Sequence, residues 1–280
     1  MKKLILLSAI FSFSCITAQI KTPQPSPSAT IVQKVGISNV TVDYSRPGVK
    51  KREVFGGLVA YNKIWRTGAN KATKITFDEN FFFGGAKVKK GSYSLFTIPG
   101  EKEWYVLLNK ETELWGSGNY NDDNEVVRIA IVPQETKDFT ESFTIEFGNF
   151  NSFSAVLSLK WANTLINIDI ESMSAKKVQN DFLELLTNGP SANDYYNGAK
   201  FFVDNTSEEE MALEWINIAI EKKPDAFWMM YHKARILKKM GNNKEAVITA
   251  QETISMASEA KDDYGYTLRC KNLIKEIKSK

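Results

Sequence analysis

Histidine and cysteine are scarce in this chain of 280 residues, which holds one histidine and two cysteines. His232 and Cys270 lie in the C-terminal part of the sequence, where we expect them to pack between helices or to lie at the surface. A hydrolase built on a nucleophile and a histidine base is poorly supported by this placement, and a zinc site needs clustered histidine and cysteine. We therefore predict no catalytic residues, no metal site and no cofactor. A glycosidase-like pair of carboxylates stays open, although no pair of acids is marked out by its sequence setting.

Long apolar runs are also absent, apart from one near the N-terminus. Residues 4–13 are apolar, follow Lys2 and Lys3, and precede small residues that end at Ala18. This is the layout of a secretory signal peptide, and the run is shorter than the roughly 20 residues that span a bilayer. We predict export to the periplasm or cell envelope, with cleavage after Ala18 and no transmembrane segment in the mature chain. The alternative is a lipoprotein acylated on Cys15, although a bulky phenylalanine precedes it where a lipobox has a small residue.

The chain lacks a strong excess of either charge, with 36 Lys and Arg against 33 Asp and Glu and a net charge of +3. Removing the predicted leader takes away two lysines and leaves about +1. This is too little to indicate a nucleic-acid partner. Loss of Cys15 would leave Cys270 alone, which excludes an internal disulfide in the mature chain.

The remaining sequence divides into a linker and two domains. Residues 19–29 carry three prolines among serine and threonine, which predicts an extended tether. Residues 30–171 consist of short alternating runs rich in Val, Ile, Thr, Phe and Tyr, separated by Gly, Pro, Asn or Asp about every ten residues. About nine strands at this spacing predict an antiparallel β-sandwich or jelly roll. Residues 172–280 show helical periodicity, so the fold class is α+β with two domains.

The helical part carries a spacing of 34 residues. Ala212 and Ala246 each lie early in a helix and are separated by this distance, which resembles the tetratricopeptide repeat. The resemblance implies a concave surface formed by the first helix of each repeat and a protein or peptide partner bound there. The side chains that this surface would present are Trp228, Tyr231, Arg235, Lys238 and Lys239. A stabilising helical appendage is the alternative.

Several unusual sequence motifs in the β region are typical of one family. They are SPSA at 26–29, DYSRPGVK at 43–50, FGGLV at 55–59, IWRTGAN at 64–70 and GSYSLFTIP at 91–99. Together they resemble the DUF2911 family, a domain of unknown function found in exported proteins of Bacteroidetes and some other bacteria. The resemblance covers about residues 26–171 and implies no activity.

The segment 44–74 is unusually basic, with eight Lys and Arg against the single acid Glu53. One interpretation is a site for an anionic or glycan ligand, with arginines as forked donors and Trp65 as a stacking face. The candidate ligand-binding residues are Tyr44, Arg46, Arg52, Trp65, Arg66 and Asn70. The alternative is a structural plug, in which Trp65 and Arg66 close one end of the sandwich and guanidinium groups bind loop carbonyls.

The preferred prediction is a non-enzymatic binding or scaffold protein of the periplasm or cell envelope, with the helical repeat as its protein-interaction module. The alternative is an exported enzyme or a carbohydrate- or anion-binding protein that uses the basic segment 44–74.

Overall fold

The computed structural model of the chain describes residues 22–186 and 189–279. The predicted signal peptide, its cleavage point at Ala18 and Cys15 lie outside the described residues.

Ten strands come first along the chain, and six helices follow them. The strands are β1 (Ser28–Val35), β2 (Ser38–Ser45), β3 (Thr73–Phe77), β4 (Phe81–Phe83), β5 (Ala86–Val88), β6 (Gly91–Ile98), β7 (Trp104–Asn109), β8 (Glu125–Ile131), β9 (Gln134–Gly148) and β10 (Ser154–Ser172). The helices are α1 (Ala175–Leu186), α2 (Ala192–Asn205), α3 (Glu209–Lys222), α4 (Phe227–Lys239), α5 (Asn243–Glu259) and α6 (Tyr266–Lys278). The predicted α+β class, with antiparallel sheets followed by helices, is confirmed.

The strands form two antiparallel sheets. One sheet has the order β1-β2-β3-β6-β7-β8, and the other has the order β5-β4-β10-β9. These segments form strands because apolar and polar residues alternate along them, which lets one face be buried. In β2, Val40, Val42 and Tyr44 are buried, and the residues between them are only partly buried. Tight turns with positive φ join neighbouring strands, as at Gly84 and Gly85 between β4 and β5.

The main core lies between the two sheets. Leu95 and Val106 of the first sheet and Leu157 and Ile168 of the second are almost completely buried in one apolar cluster. Aromatic rings fill one part of this core, where Phe55, Trp65, Trp104, Phe143 and Trp161 contact one another at centroid distances from 4.7 to 6.5 Å.

Two features of the β region differ from the sequence expectations. β1 begins at Ser28, and the amide of Arg46 donates to the carbonyl of Pro27, so the last part of the segment expected as a tether belongs to the sheet. One long strand, β10, spans Ser154–Ser172, where the sequence predicts short runs broken about every ten residues. Ala162 has a φ of 50° at an irregularity in the pairing with β9, which lets the chain continue without a turn.

The helices pack consecutively, with α2 against α3, α4 against α5 and α5 against α6. Ala212 of α3 and Ala246 of α5, the residues 34 positions apart, are both completely buried. Small side chains at such positions allow helix axes to approach to about 8–10 Å. The helical part meets the β part where the rings of Phe153 and Phe201 lie edge to face at 5.9 Å. No helix among the described residues is long and apolar enough to cross a membrane.

Candidate functional site

A cavity of about 670 Å³ opens on one side of the helical region, and we call it the helical groove. Its lining residues come from α2, α4 and α6. They are Val203, Asp204, Tyr231, Arg235, Lys238, Lys239, Arg269, Asn272, Leu273 and Glu276. Every second helix therefore contributes to the same surface, while α3 and α5 lie behind it. Stacked helix pairs produce this arrangement because each first helix faces the same way.

Arg235 is held in place from two sides. Its Nη2 atom lies 2.9 Å from Oδ1 of Asp204, and its Nη1 atom lies 3.1 Å from Nδ1 of His232. Because a guanidinium only donates, Nδ1 of His232 accepts this hydrogen bond and the imidazole proton is on Nε2. The groove wall thus joins α2 and α4 through one arginine.

The two lysines of α4 are also engaged. Lys238 forms an ion pair with Glu276 of α6. Lys239 lies 3.0 Å from Oε1 of Glu209 and donates to the carbonyls of Val203 and Thr206. The hydrogen bond from Lys239 lowers the pKa of Glu209. These contacts fix the positions of both ammonium groups along the groove.

Arg269 differs from these three cations. Its guanidinium lies over the ring of Tyr266 with Cζ 4.8 Å from the centroid, and the side chain is exposed. Among the residues that the structure describes, no carboxylate forms an ion pair with Arg269. The lining carries four cations and two carboxylates, and Glu209 next to the lining pairs with Lys239. Among the described residues, Arg269 is thus the lining cation whose positive charge has no carboxylate partner. It is therefore suited to an anionic group.

His232 is buried behind the groove and is uncharged at neutral pH. Its ring lies edge to face between Tyr196 and Tyr231, at 5.3 Å from each. Burial lowers the pKa of His232 to about 3, with a further contribution from the positive charge of Arg235. Cys270 is also fully buried, and burial raises the pKa of its thiol to about 11. Neither residue is placed to act as a base or a nucleophile.

Four of the five residues predicted to face a partner line the helical groove, namely Tyr231, Arg235, Lys238 and Lys239. Trp228 is not among the lining residues; it packs against the core of α2 and α3, with Nζ of Lys223 4.9 Å from its ring. The sequence prediction placed no partner-facing residue on α6 and missed its contribution. Polar residues recur at helical spacing on one face of α6, at Arg269, Asn272 and Glu276. This spacing is the sequence signal that could have placed α6 at the groove.

Two arginines hold the basic segment 44–74 in place, Arg46 by bonds to β9 and Arg52 by bonds within the segment. Arg46 donates from Nε to the carbonyl of Phe143 at 3.2 Å and from Nη2 to Oγ1 of Thr144 at 2.7 Å. Arg52 donates to the carbonyls of Val49 and Gly48. These are the bonds expected of a structural plug.

The aromatic candidates of this segment lie in the core. Trp65 is 6% exposed, stacks on Trp161 at 5.6 Å, and donates from Nε1 to the carbonyl of Gly68. Tyr44 is 5% exposed, and its hydroxyl is bonded to the backbone of Ile145. Their rings therefore pack inside the sandwich and do not face a ligand in this conformation.

The remaining two candidates, Arg66 and Asn70, each have a side-chain polar atom without a hydrogen-bond partner among the described residues. Arg66 is half-buried, its Nε has no hydrogen-bond partner among the described residues, and burial lowers the pKa of its guanidinium. Asn70 donates from Nδ2 to the carbonyl of Ser26 and to Oγ of Ser45, both at 3.2 Å. Of the six candidates, Tyr44 and Trp65 thus lie in the core, Arg46 and Arg52 anchor the loop, and Arg66 and Asn70 are partly exposed. Ligand binding by these residues stays a prediction.

Within residues 22–186 and 189–279, no cluster of histidine, cysteine or acidic side chains is arranged to hold a metal ion.

The β region has a counterpart among known families. No curated protein matches the chain. A family model described as "Protein of unknown function (DUF2911)" matches residues 26–170, which extend from just before β1 almost to the end of β10. The match covers more than half of the sequence, and the chain therefore belongs to the DUF2911 family.

Proposed function

We propose that this protein is an exported binding or scaffold protein that holds an acidic peptide segment of a partner protein in the helical groove. The observation that carries the proposal is the unbalanced positive charge of the groove, with Arg269 exposed and free of a carboxylate partner among the described residues. An extended peptide with acidic side chains, or a free C-terminal carboxylate, supplies the missing negative charge.

The other cations support the same ligand. Arg235, Lys238 and Lys239 are positioned by ion pairs with Asp204, Glu276 and Glu209, so they present charge at fixed places without free rotation. Preorganised donors lose less side-chain entropy when a ligand binds. Tyr231, which is only partly buried, adds apolar surface for the peptide's non-charged residues. A volume of about 670 Å³ accommodates a short segment and not a folded domain.

The proposal is tested with fluorescein-labelled peptides and the mature protein, using fluorescence anisotropy. The probes are a short Asp- and Glu-rich peptide with a free C-terminus, the same peptide with Gln and Asn in place of the acids, and a Lys-rich peptide of equal length. We expect the acidic peptide to bind most tightly and to weaken as salt is raised, because exposed charges are screened over about 10 Å at 0.1 M salt.

Arg269→Gln is the informative variant, and Lys244→Gln is its matched control. Both changes remove one exposed positive charge from the helical region, but Lys244 lies on α5, away from the groove lining. We expect roughly five- to tenfold weaker binding of the acidic peptide for Arg269→Gln and no change for Lys244→Gln. Equal weakening by both variants would show that binding depends only on the net charge of the protein and would contradict a role for the groove. The proposal is also rejected if the neutral peptide binds as tightly as the acidic one.

Export is part of the same proposal. It is supported by the charged, apolar and small-residue order of residues 1–18. Mass spectrometry of protein from the cell envelope should find Gln19 as the first residue. A diacylglyceryl group on Cys15 would instead identify a lipoprotein.

A further inference from the structure

A second cavity, of about 480 Å³, opens on the outer face of the six-stranded sheet, and we call it the sheet cleft. Val42 and Tyr44 of β2 face the core, so Asp43 between them points to the other side. The lining of the cleft includes Thr30, Asp43, Asn70, Lys74, Glu113 and Trp115.

The floor of the sheet cleft is a row of polar side chains on three adjacent strands. Thr30 of β1 is paired with Asp43 of β2, and Asp43 is paired with Lys74 of β3. Thr30 donates from Oγ1 to Oδ1 of Asp43 at 2.6 Å, and Nζ of Lys74 lies 3.7 Å from Oδ2 of the same carboxylate. The strand register therefore places a hydroxyl, a carboxylate and an ammonium group side by side.

One wall of the cleft is the segment after β7. The amide of Ala72 donates to the carbonyl of Leu114 at 3.0 Å, and Lys71 pairs with Trp115 in an isolated antiparallel bridge. The side chains of Lys71 and Glu113 form an ion pair of 2.9 Å across the same junction. The wall is thus anchored through both backbone and side chains.

Trp115 lies on this wall with its side chain exposed. At 72% it is the most exposed large apolar side chain among the described residues. Exposing an indole to water forgoes the free energy of burial, and exposed apolar surface with a polar rim commonly marks a binding site. The segment around Trp115 has no alternating pattern and is rich in Gly and Ser, so sequence reasoning assigned it no role.

The charges of the sheet cleft are balanced, unlike those of the helical groove. Lys71 and Lys74 are matched by Asp43 and Glu113, and each pair is in contact. Such a surface offers no net attraction to an anion. It does offer donors and acceptors side by side, and Oδ1 of Asn70 adds an acceptor with no hydrogen-bond partner among the described residues. Hydroxyl groups, which both donate and accept, suit this arrangement.

We propose that the sheet cleft binds a neutral saccharide, with one pyranose ring against the indole of Trp115 and its hydroxyls bonded to Asp43, Lys74 and Asn70. The ring supplies an apolar C–H face for the indole and a rim of hydroxyls for the polar row. The cavity volume falls within the range of about 300–1,000 Å³ typical of small-molecule sites. This site is independent of the helical groove and of the buried Trp65.

The test is isothermal titration calorimetry of the mature protein with a panel of neutral disaccharides, namely cellobiose, maltose, xylobiose, mannobiose and N,N′-diacetylchitobiose. Glucuronic acid and inorganic phosphate serve as anionic probes. We expect at least one disaccharide to bind at millimolar concentration or below and to shift the tryptophan emission. Trp115→Ala should weaken that binding about tenfold or more, since an aromatic ring that a ligand covers commonly carries a large share of the binding free energy.

Phe139→Ala is the matched control, because Phe139 is another exposed aromatic residue but lies on β9 of the other sheet. It should leave saccharide binding unchanged, and Asn70→Ala should weaken it. The proposal is overturned if no neutral disaccharide binds, if Trp115→Ala binds as tightly as the unaltered protein, or if glucuronic acid or phosphate binds more tightly than every neutral sugar.

Discussion

The buried histidine behind the helical groove makes a specific prediction about acid stability. His232 is 8% exposed and its pKa is lowered from 6.5 to about 3, first by burial and then by the positive charges of Arg235, Lys200 and Arg269. In the unfolded chain the same imidazole regains a pKa of about 6.5. The unfolded state therefore takes up a proton as the pH falls below 6.5, and the folded state does not.

The sign and size of the effect follow from proton linkage. A base with a lowered pKa in the folded state contributes stability that is complete above its unfolded pKa and is lost as the pH falls towards the folded value. The free energy of unfolding should fall by about 1.4 kcal/mol for each pH unit in this window. Between about pH 7.5 and about pH 5 the loss is about 2 kcal/mol, which corresponds to a Tm decrease of roughly 8–16 °C for a region of this size.

The assay is circular dichroism of the helical signal during heating, for the mature protein and for His232→Gln. Glutamine keeps an acceptor for Arg235 but does not titrate. No other histidine contributes, because His232 is the single one in the chain. We expect the Tm of the unaltered protein to fall as the pH is lowered over this range, and the Tm of the variant to fall much less. An identical slope in both proteins would refute the assignment of a neutral, buried imidazole in the folded state.

Two further changes test the loop and the repeat. Arg46→Met should lower the free energy of unfolding by roughly 1–3 kcal/mol because it leaves the Phe143 carbonyl without its donor. Arg66→Met should leave the free energy of unfolding unchanged or raise it, because the buried Nε of Arg66 has no hydrogen-bond partner in the part of the chain that the structure describes. Chemical denaturation measures the free energy of unfolding of both variants. A larger loss for Arg66→Met than for Arg46→Met would mean that the Arg66 side chain has a structural partner. Ala246→Leu should cost roughly 1–3 kcal/mol in the helical transition because the site is completely buried, while Gln251→Leu at an exposed position of the same helix should cost little. An unmoved helical transition in Ala246→Leu would contradict close packing at this position.

The sequence by itself determined the fold class and the family. Alternating residues such as Val40 and Val42 can bury one face only as a strand, and the turn glycines at 84 and 85 limit where a strand can end. The spacing between Ala212 and Ala246 predicted two equivalent helices, and both alanines are completely buried, as close helix packing requires. Four of the groove residues, which lie on α4, were predicted from the resemblance to the tetratricopeptide repeat.

Only the tertiary structure decided which aromatic residue is available to a ligand. Trp65 and Trp115 both lie in irregular segments of similar composition, yet one pairs with Thr97 and enters the core while the other pairs with Lys71 and faces solvent. That choice depends on which part of the chain each segment meets, and the partner residue, Thr97 or Lys71, is distant in sequence. The same reason applies to Arg269, because α6 joins the groove by packing onto α4. Local patterns specify the elements, whereas contacts between distant elements assemble the sites.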